Sequence, residues 1–259
     1  MRSLNMVNKV LVAYAMKEEF APWRRMRRFR RISTSTCPVW MTAFGTTEVY
    51  VALAGAGAPD ACCFDSLTTQ FTPSFAIVTG VAAGLKPEWR PGDLLVAQSV
   101  RSADSEVRLA GDPRLMDLAV QCGAKPAAAM ITLPRIARTC AEKLRLAPWG
   151  DAADMESLPL MKMWSARGIP SLALRVILDP VEQPMTCDFE AAMDAHGQVQ
   201  ITRILAQLAR HPQLLPDFLQ VARESSRVLK ILARFMDRFF ELLDRQSSAA
   251  TNHMQSNIS

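Results

Sequence analysis

Histidine is scarce. The chain of 259 residues has His196, His211 and His253, and none of them sits in an H-E-x-x-H pattern or beside carboxylates at ligand spacing. That argues against histidine-held metal chemistry. The six cysteines, Cys37, Cys62, Cys63, Cys122, Cys140 and Cys187, form no C-x-x-C pair. In a chain of this size they are expected to be buried or free thiols in a reducing compartment. There is no G-x-S-x-G elbow and no G-x-x-x-x-G-K-[ST] loop, which disfavours serine-hydrolase and P-loop chemistries. No run approaches the roughly 18–20 uninterrupted apolar residues of a membrane span. The opening residues lack a secretory apolar core, because Asn5, Asn8 and Lys9 interrupt it. The expected location is the cytoplasm.

What is present points to a folded enzyme-sized domain. With 49% apolar and 21% charged residues, the chain has material for a substantial core. The net charge of +5 comes partly from one run, "RRMRRFRR" (24–31), so no nucleic-acid partner is expected. Strand-like runs at 9–15, 48–55, 74–80, 92–100, 127–133 and 169–179 alternate with helical patterns at 18–29, 59–71, 113–122, 135–146 and 155–167. Near-continuous apolar strands between helices predict a three-layer αβα sandwich around a central mixed sheet. From Val199 the pattern is helical only. The predicted division is a catalytic domain over 1–214, an amphipathic helical extension over 215–246 and a disordered tail over 247–259.

Two glycine-containing segments and three carboxylates carry the functional signal. "LAGAGAPDA" (53–61) follows a strand and opens a helix, but no acidic residue stands between Asp65 and Glu88 to bind a ribose of a dinucleotide. A tight turn that brings backbone close to a small ligand or to the sheet fits better, and no organic cofactor is expected. "TGVAAGL" (79–85) places Gly80, Val81, Ala82 and Gly84 at the end of a buried strand, where open α/β sheets bind ligands. Glu19, Glu156 and Asp179 each stand at an element boundary beside apolar sequence. Helix capping explains any one of them, Asp154 included. All three at element ends fit a cleft.

Taken in order, "AMKEEF", "TGVAAGL…PGDLLV", "DMES" and "RVILD" resemble the nucleoside phosphorylase/nucleosidase superfamily over about residues 9–180. The first segment is similar to A-M-E-E-E of the methylthioadenosine/S-adenosylhomocysteine nucleosidases, "DMES" to their M-E signature and "RVILD" to their R-x-[IV]-S-D strand. Within the superfamily, "AEKLRLAPWGDAADMES" and the helical tail look like the hopanoid-associated phosphorylases, implied to remove adenine from the lipid adenosylhopane. The resemblance implies that Glu156 bonds the ribose hydroxyls, Met155 packs on the sugar, Asp179 protonates or hydrogen-bonds purine N7, and Glu19 positions an attacking water. It also implies a homo-oligomer and a purine nucleoside, small or lipid-linked, as substrate.

The chemistry suits those residue types. Breaking an N-glycosidic bond leaves positive charge on the ribose and negative charge on the departing base. A carboxylate near the sugar steadies the first and an acid at N7 the second. Asp179 must then keep a proton near neutral pH, which burial beside Ile177, Leu178 and Pro180 favours; Arg175 lies about 13 Å away along a straight strand. Two departures matter. Leu178 stands where the resemblance expects a serine to orient the aspartate. "GVAAGL" lacks the serine and nearby arginine with which trimeric and hexameric phosphorylases grip phosphate. Water or phosphate as co-substrate therefore stays open, with Glu19 tilting toward water. The alternatives are a methylthioadenosine/S-adenosylhomocysteine nucleosidase and an inert nucleoside- or lipid-binding protein on the same fold. For a lipid substrate, "RRMRRFRR" and the helix around Phe235–Phe240 offer peripheral contact with the inner membrane face; packing on the domain or on a partner subunit is the competing use.

Overall fold

A computed structural model describes residues 8–32, 34, 37–103, 106–186 and 188–256. The first half contains β1 (Asn8–Tyr14), α1 (Lys17–Met26), β2 (Arg30–Ile32), β3 (Val39–Phe44), β4 (Thr47–Leu53), α2 (Ala61–Phe71), β5 (Phe75–Gly84), β6 (Leu94–Ala97), β7 (Ser99–Ser102) and β8 (Arg108–Ala110). The second contains α3 (Pro113–Gln121), β9 (Lys125–Ala127), β10 (Met130–Thr132), α4 (Cys140–Leu146), β11 (Ala152–Asp154), α5 (Ser157–Ala166), β12 (Ser171–Asp179), α6 (Ile201–Arg210) and α7 (Leu215–Ser256). All the strands join one mixed sheet. At its centre β5 pairs parallel with β1 and with β12, so that Ile77 faces Val12 on one side and Leu172 on the other. Those side chains are fully buried, as parallel strands covered on both faces must be.

Helices cover each face. Trp23 of α1, Leu118 of α3 and Phe239 of α7 pack on one side; Phe64 and Leu67 of α2 with Leu160 and Trp164 of α5 pack on the other. The α/β class with a central mixed sheet and a C-terminal helix is thus as the apolar pattern predicts. α7, however, is no appendage. Val228, Leu232, Phe235, Met236, Phe239 and Phe240 are buried in the main core, each contributing about 1.5–3 kcal/mol by burial. Trp23 stacks on Phe240 at 5.7 Å, and its Nε1 donates to Asp237. The Phe235–Phe240 face therefore belongs to this domain rather than to a membrane surface. No helix among the described residues is long and apolar enough to cross a membrane.

Several expectations change. The tail expected to be disordered from 247 continues as helix to Ser256: the stretch holds no Gly or Pro, and Asn8 anchors Ser247 by a 2.9 Å hydrogen bond. The run 92–100 divides at Gln98 into β6 and β7, which lead to different neighbours. The helix expected from 135 starts only at Cys140, where Thr139 and Glu142 form a capping box. The short strands β2, β3, β8, β9 and β11 were not anticipated. Cys37 and Cys63, expected as thiols, are joined in a disulfide with their Cα atoms 6.2 Å apart, because both pack against the same apolar cluster. Cys62, Cys122 and Cys140 are free, and Cys187 lies outside the described residues. The exposed arginines 24, 25, 28, 30 and 31 spread over the end of α1 and the edge strand β2, a placement that discourages pairing with another strand.

Candidate active site

Because β1, β5 and β12 are parallel, their C-terminal ends reach the same edge of the sheet. β11 runs antiparallel to β5, with Ala153 opposite Ala83, so the chain leaving β11 returns along the end of β5. These four ends enclose a cleft that holds about 640 Å³ of empty space when its open mouth is included. Glu19, Val81, Ala82, Asp154, Met155, Glu156 and Asp179 line it together.

Glu19 is buried in the first turn of α1. Its Oε2 accepts the backbone N–H groups of Ala15 and Met16, each at 3.0 Å, and its Oε1 accepts that of Val81 at 2.9 Å. The carboxylate thereby ties the end of β1 to the end of β5. Burial raises its pKa, while Arg175 and the three N–H donors pull the other way. Gly80 makes this approach feasible: its φ is +148°, and a Cβ there would lie 2.5 Å from Glu19 Oε1 and 2.8 Å from Arg175 Nη1. Gly80→Ala is expected to cost about 1–3 kcal/mol of backbone strain. It should also lower turnover about 100-fold through the displaced carboxylate, read as a lower Tm together with slower base release.

Glu156 and Arg175 form the buried centre of the site. Arg175, fully buried on β12, places Nη2 2.8 Å from Asp154 Oδ2, 3.1 Å from Glu156 Oε2 and 3.2 Å from Ser157 Oγ. Glu156 Oε1 accepts the N–H of Gly57 at 2.9 Å, so the turn in "LAGAGAPDA" delivers backbone to a carboxylate rather than to a nucleotide. Burial pushes Glu156 up to about 7, with Asp154 and Glu19 adding repulsion and Arg175 opposing it. Asp154 accepts the Thr132 hydroxyl at 2.8 Å and the Ser157 N–H and hydroxyl. It therefore holds the first N–H of α5, whose N-cap position is Glu156, and also anchors Arg175.

Asp179 ends β12, just beyond a register shift after Ile177. Its carboxyl is raised by burial and lowered by one cation, Lys143, whose Nζ lies 2.7 Å from Oδ2. The cation that matters to Asp179 is thus Lys143 of α4 and not Arg175. Leu178, the position lacking the expected serine, lines the cleft instead.

Residues 9–210, most of the chain, match the family described as the phosphorylase superfamily. The chain belongs to that superfamily. Solved structures of similar fold include the native futalosine hydrolase of Helicobacter pylori, 17% identical, with a TM-score of 0.69 over 90% of this chain and 97% of that one. Another is the 5'-methylthioadenosine/S-adenosyl homocysteine nucleosidase of Campylobacter jejuni, 18% identical, with a TM-score of 0.68 over 90% and 99%. A putative methylthioadenosine nucleosidase from Weissella paramesenteroides, also 18% identical, has a TM-score of 0.67 over 91% and 98%.

Set within the superfamily, the residues singled out in the sequence fall into two groups. Glu19, Val81, Ala82, Met155, Glu156 and Asp179 reach the cleft. Gly80 does not line it; it stands behind Glu19 and Arg175. Gly84 is also outside, packed against Trp89, Ile177 and Pro180, and Ala83 takes the expected place in the lining. Sequence reading missed Lys143 and treated Arg175 only as a neighbour of Asp179. A charged residue inside the apolar strand "SLALRVILD" is the signal that exposes Arg175, since such a residue is buried only with partners. Lys143 sits among other charges in "CAEKLRL", where nothing local marks it as buried.

Proposed function

We propose that this protein hydrolyses the N-glycosidic bond of a 5'-substituted adenosine and releases adenine. The observation that carries the reading is that Asp179 and Glu156 open onto one cleft, the first as a buried acid and the second as a carboxylate held against Arg175. Asp179 gives its proton to N7 as the base departs. Glu156 accepts the ribose hydroxyls and steadies the cationic sugar, and Met155 packs beside it.

The lining of the cleft favours water over phosphate. Glu19, Asp154, Glu156 and Asp179 contribute carboxyls, against the single exposed cation of Arg135. Lys143 and Arg175 are already engaged by acidic partners. A phosphate dianion entering the cleft therefore meets Arg135 as the one lining cation without an acidic partner inside it. Water meets a prepared acceptor: a carboxylate offers about four lone-pair sites, and the three backbone donors leave one of them on Glu19 Oε1.

Methylthioadenosine and S-adenosylhomocysteine are supported as substrates by the names of the similar structures, and adenosylhopane by the sequence resemblance. The test is incubation with each of the three, with and without phosphate, followed by mass analysis of the sugar. Adenine release with the sugar gaining water, at a rate indifferent to phosphate, is expected. A gain of phosphate would refute hydrolysis. No adenine from any of them, with nucleoside binding intact, would refute the enzymatic reading and leave a binding protein.

A further inference from the structure

The mechanism above leaves one buried cation without a task. Lys143 is fully buried on a short exposed helix, an unusual place for an ammonium group unless it is paired. Its Nζ reaches the carbonyls of Pro180 at 2.9 Å and Gln183 at 2.8 Å, and Asp179 Oδ2 at 2.7 Å. Two of its N–H groups thus donate to carbonyls while its charge pairs with Asp179 Oδ2, and all three oxygens belong to the end of β12 and the turn that follows it. No hydrogen bond reaches Oδ2 among the described residues, so the Lys143 ion pair is the polar contact it has, and Leu178 has no hydroxyl to offer. Oδ2 is out of solvent while the Asp179 side chain is 13% exposed, which leaves Oδ1 as the oxygen for the cleft.

We propose that Lys143 is the positioning residue of this site: it pins Oδ2 so that Oδ1 faces the purine, and its charge steadies the carboxylate left when Asp179 gives up its proton. The inference rests on the proposed hydrolysis. In the step itself the proton moves from Asp179 Oδ1 to N7 while the C1'–N9 bond breaks, its electron pair going to the base; Lys143 keeps its three protons throughout. An opposite charge at this distance shifts a carboxyl downward by about one to three units. Without it Asp179 would be a weaker donor, protonated to higher pH. Other charged groups near this corner are Glu182, lowered first by a backbone N–H, then by Arg90 and in part by Lys143 itself; Glu224 of α7, which pairs with Arg227; and Arg135 across the cleft. None of them forms an ion pair with Asp179.

The experiment measures adenine release from methylthioadenosine against pH for the wild type, Lys143→Gln and Lys143→Met. Lys143→Gln removes the charge but keeps an amide with two N–H donors, whereas Lys143→Met removes charge and donors together. Both variants should show kcat lowered at least tenfold with KM little changed, and an alkaline limb moved upward by about one to three units. A purely structural lysine would lower Tm and leave that limb where it is, and this result would overturn the assignment. Should neither variant fold, the 15N resonance of Lys143 Nζ in the wild-type protein decides: it shifts across the pH range of the alkaline limb if the pairing operates, and stays flat if it does not. No release by the wild type refutes the functional reading itself; release with an unmoved limb in the variants refutes only the role of Lys143.

Discussion

Asp179→Asn is expected to lower kcat for adenine release by about 10²–10⁴, the usual worth of a general acid, while binding of a nucleoside changes little. The reason lies in the leaving group. Asparagine keeps the shape and can still contact N7, but it has no proton to surrender as the base accumulates charge. Burial raises the Asp179 carboxyl, which favours the protonated form this step needs, and Lys143 opposes that rise. The variant also leaves Lys143 buried with two carbonyls and no anion. A lower Tm should therefore accompany the loss, because an uncompensated buried charge is costly. Kinetics and binding are to be compared below the unfolding range. Wild-type turnover in a folded Asp179→Asn would remove Asp179 from the chemistry.

Glu156→Gln should be nearly as damaging, at about 10²–10³ in kcat/KM, and it carries a pH signature. Burial and the neighbouring acids push Glu156 up to about 7. Below that pH the group takes a proton, its charge disappears, and it no longer steadies a cationic sugar. The wild-type kcat/KM should then fall about tenfold per pH unit on the acid side of 7. Glutamine has no such transition, so the acid limb should flatten in the variant while the alkaline limb persists. An unchanged acid limb would show that another group governs it.

Strand and helix periodicity made the layered α/β plan visible, since long apolar strands such as "SFAIVTG" have few ways to be buried. Strands of three residues left no such trace: β9 pairs with the longer β6 and β11 with the longer β5, and neither announces itself by alternation in its own sequence. The carboxylates at element ends were legible for the same reason that they are unusual, each being an acid set against apolar sequence. Their partners were less so. Arg175 meets Glu156 across 19 positions and Gly57 meets it across 99, pairings that only the sheet order creates. Lys143 and Asp179 come together from a short helix and a strand end separated by β11 and α5, and no local pattern announces them. The disulfide escaped for a related reason: Cys37 and Cys63 look like ordinary apolar fillers until the packing places them in one cluster.

The crystal structure of the protein bound to a non-cleavable 5'-substituted adenosine analogue tests most directly whether one nucleoside spans both acids. Purine N7 should lie about 2.6–3.2 Å from the Asp179 carboxyl, with the ribose hydroxyls on Glu156. A nucleoside bound outside this cleft, or inside it with neither carboxyl in contact, would contradict the proposed chemistry.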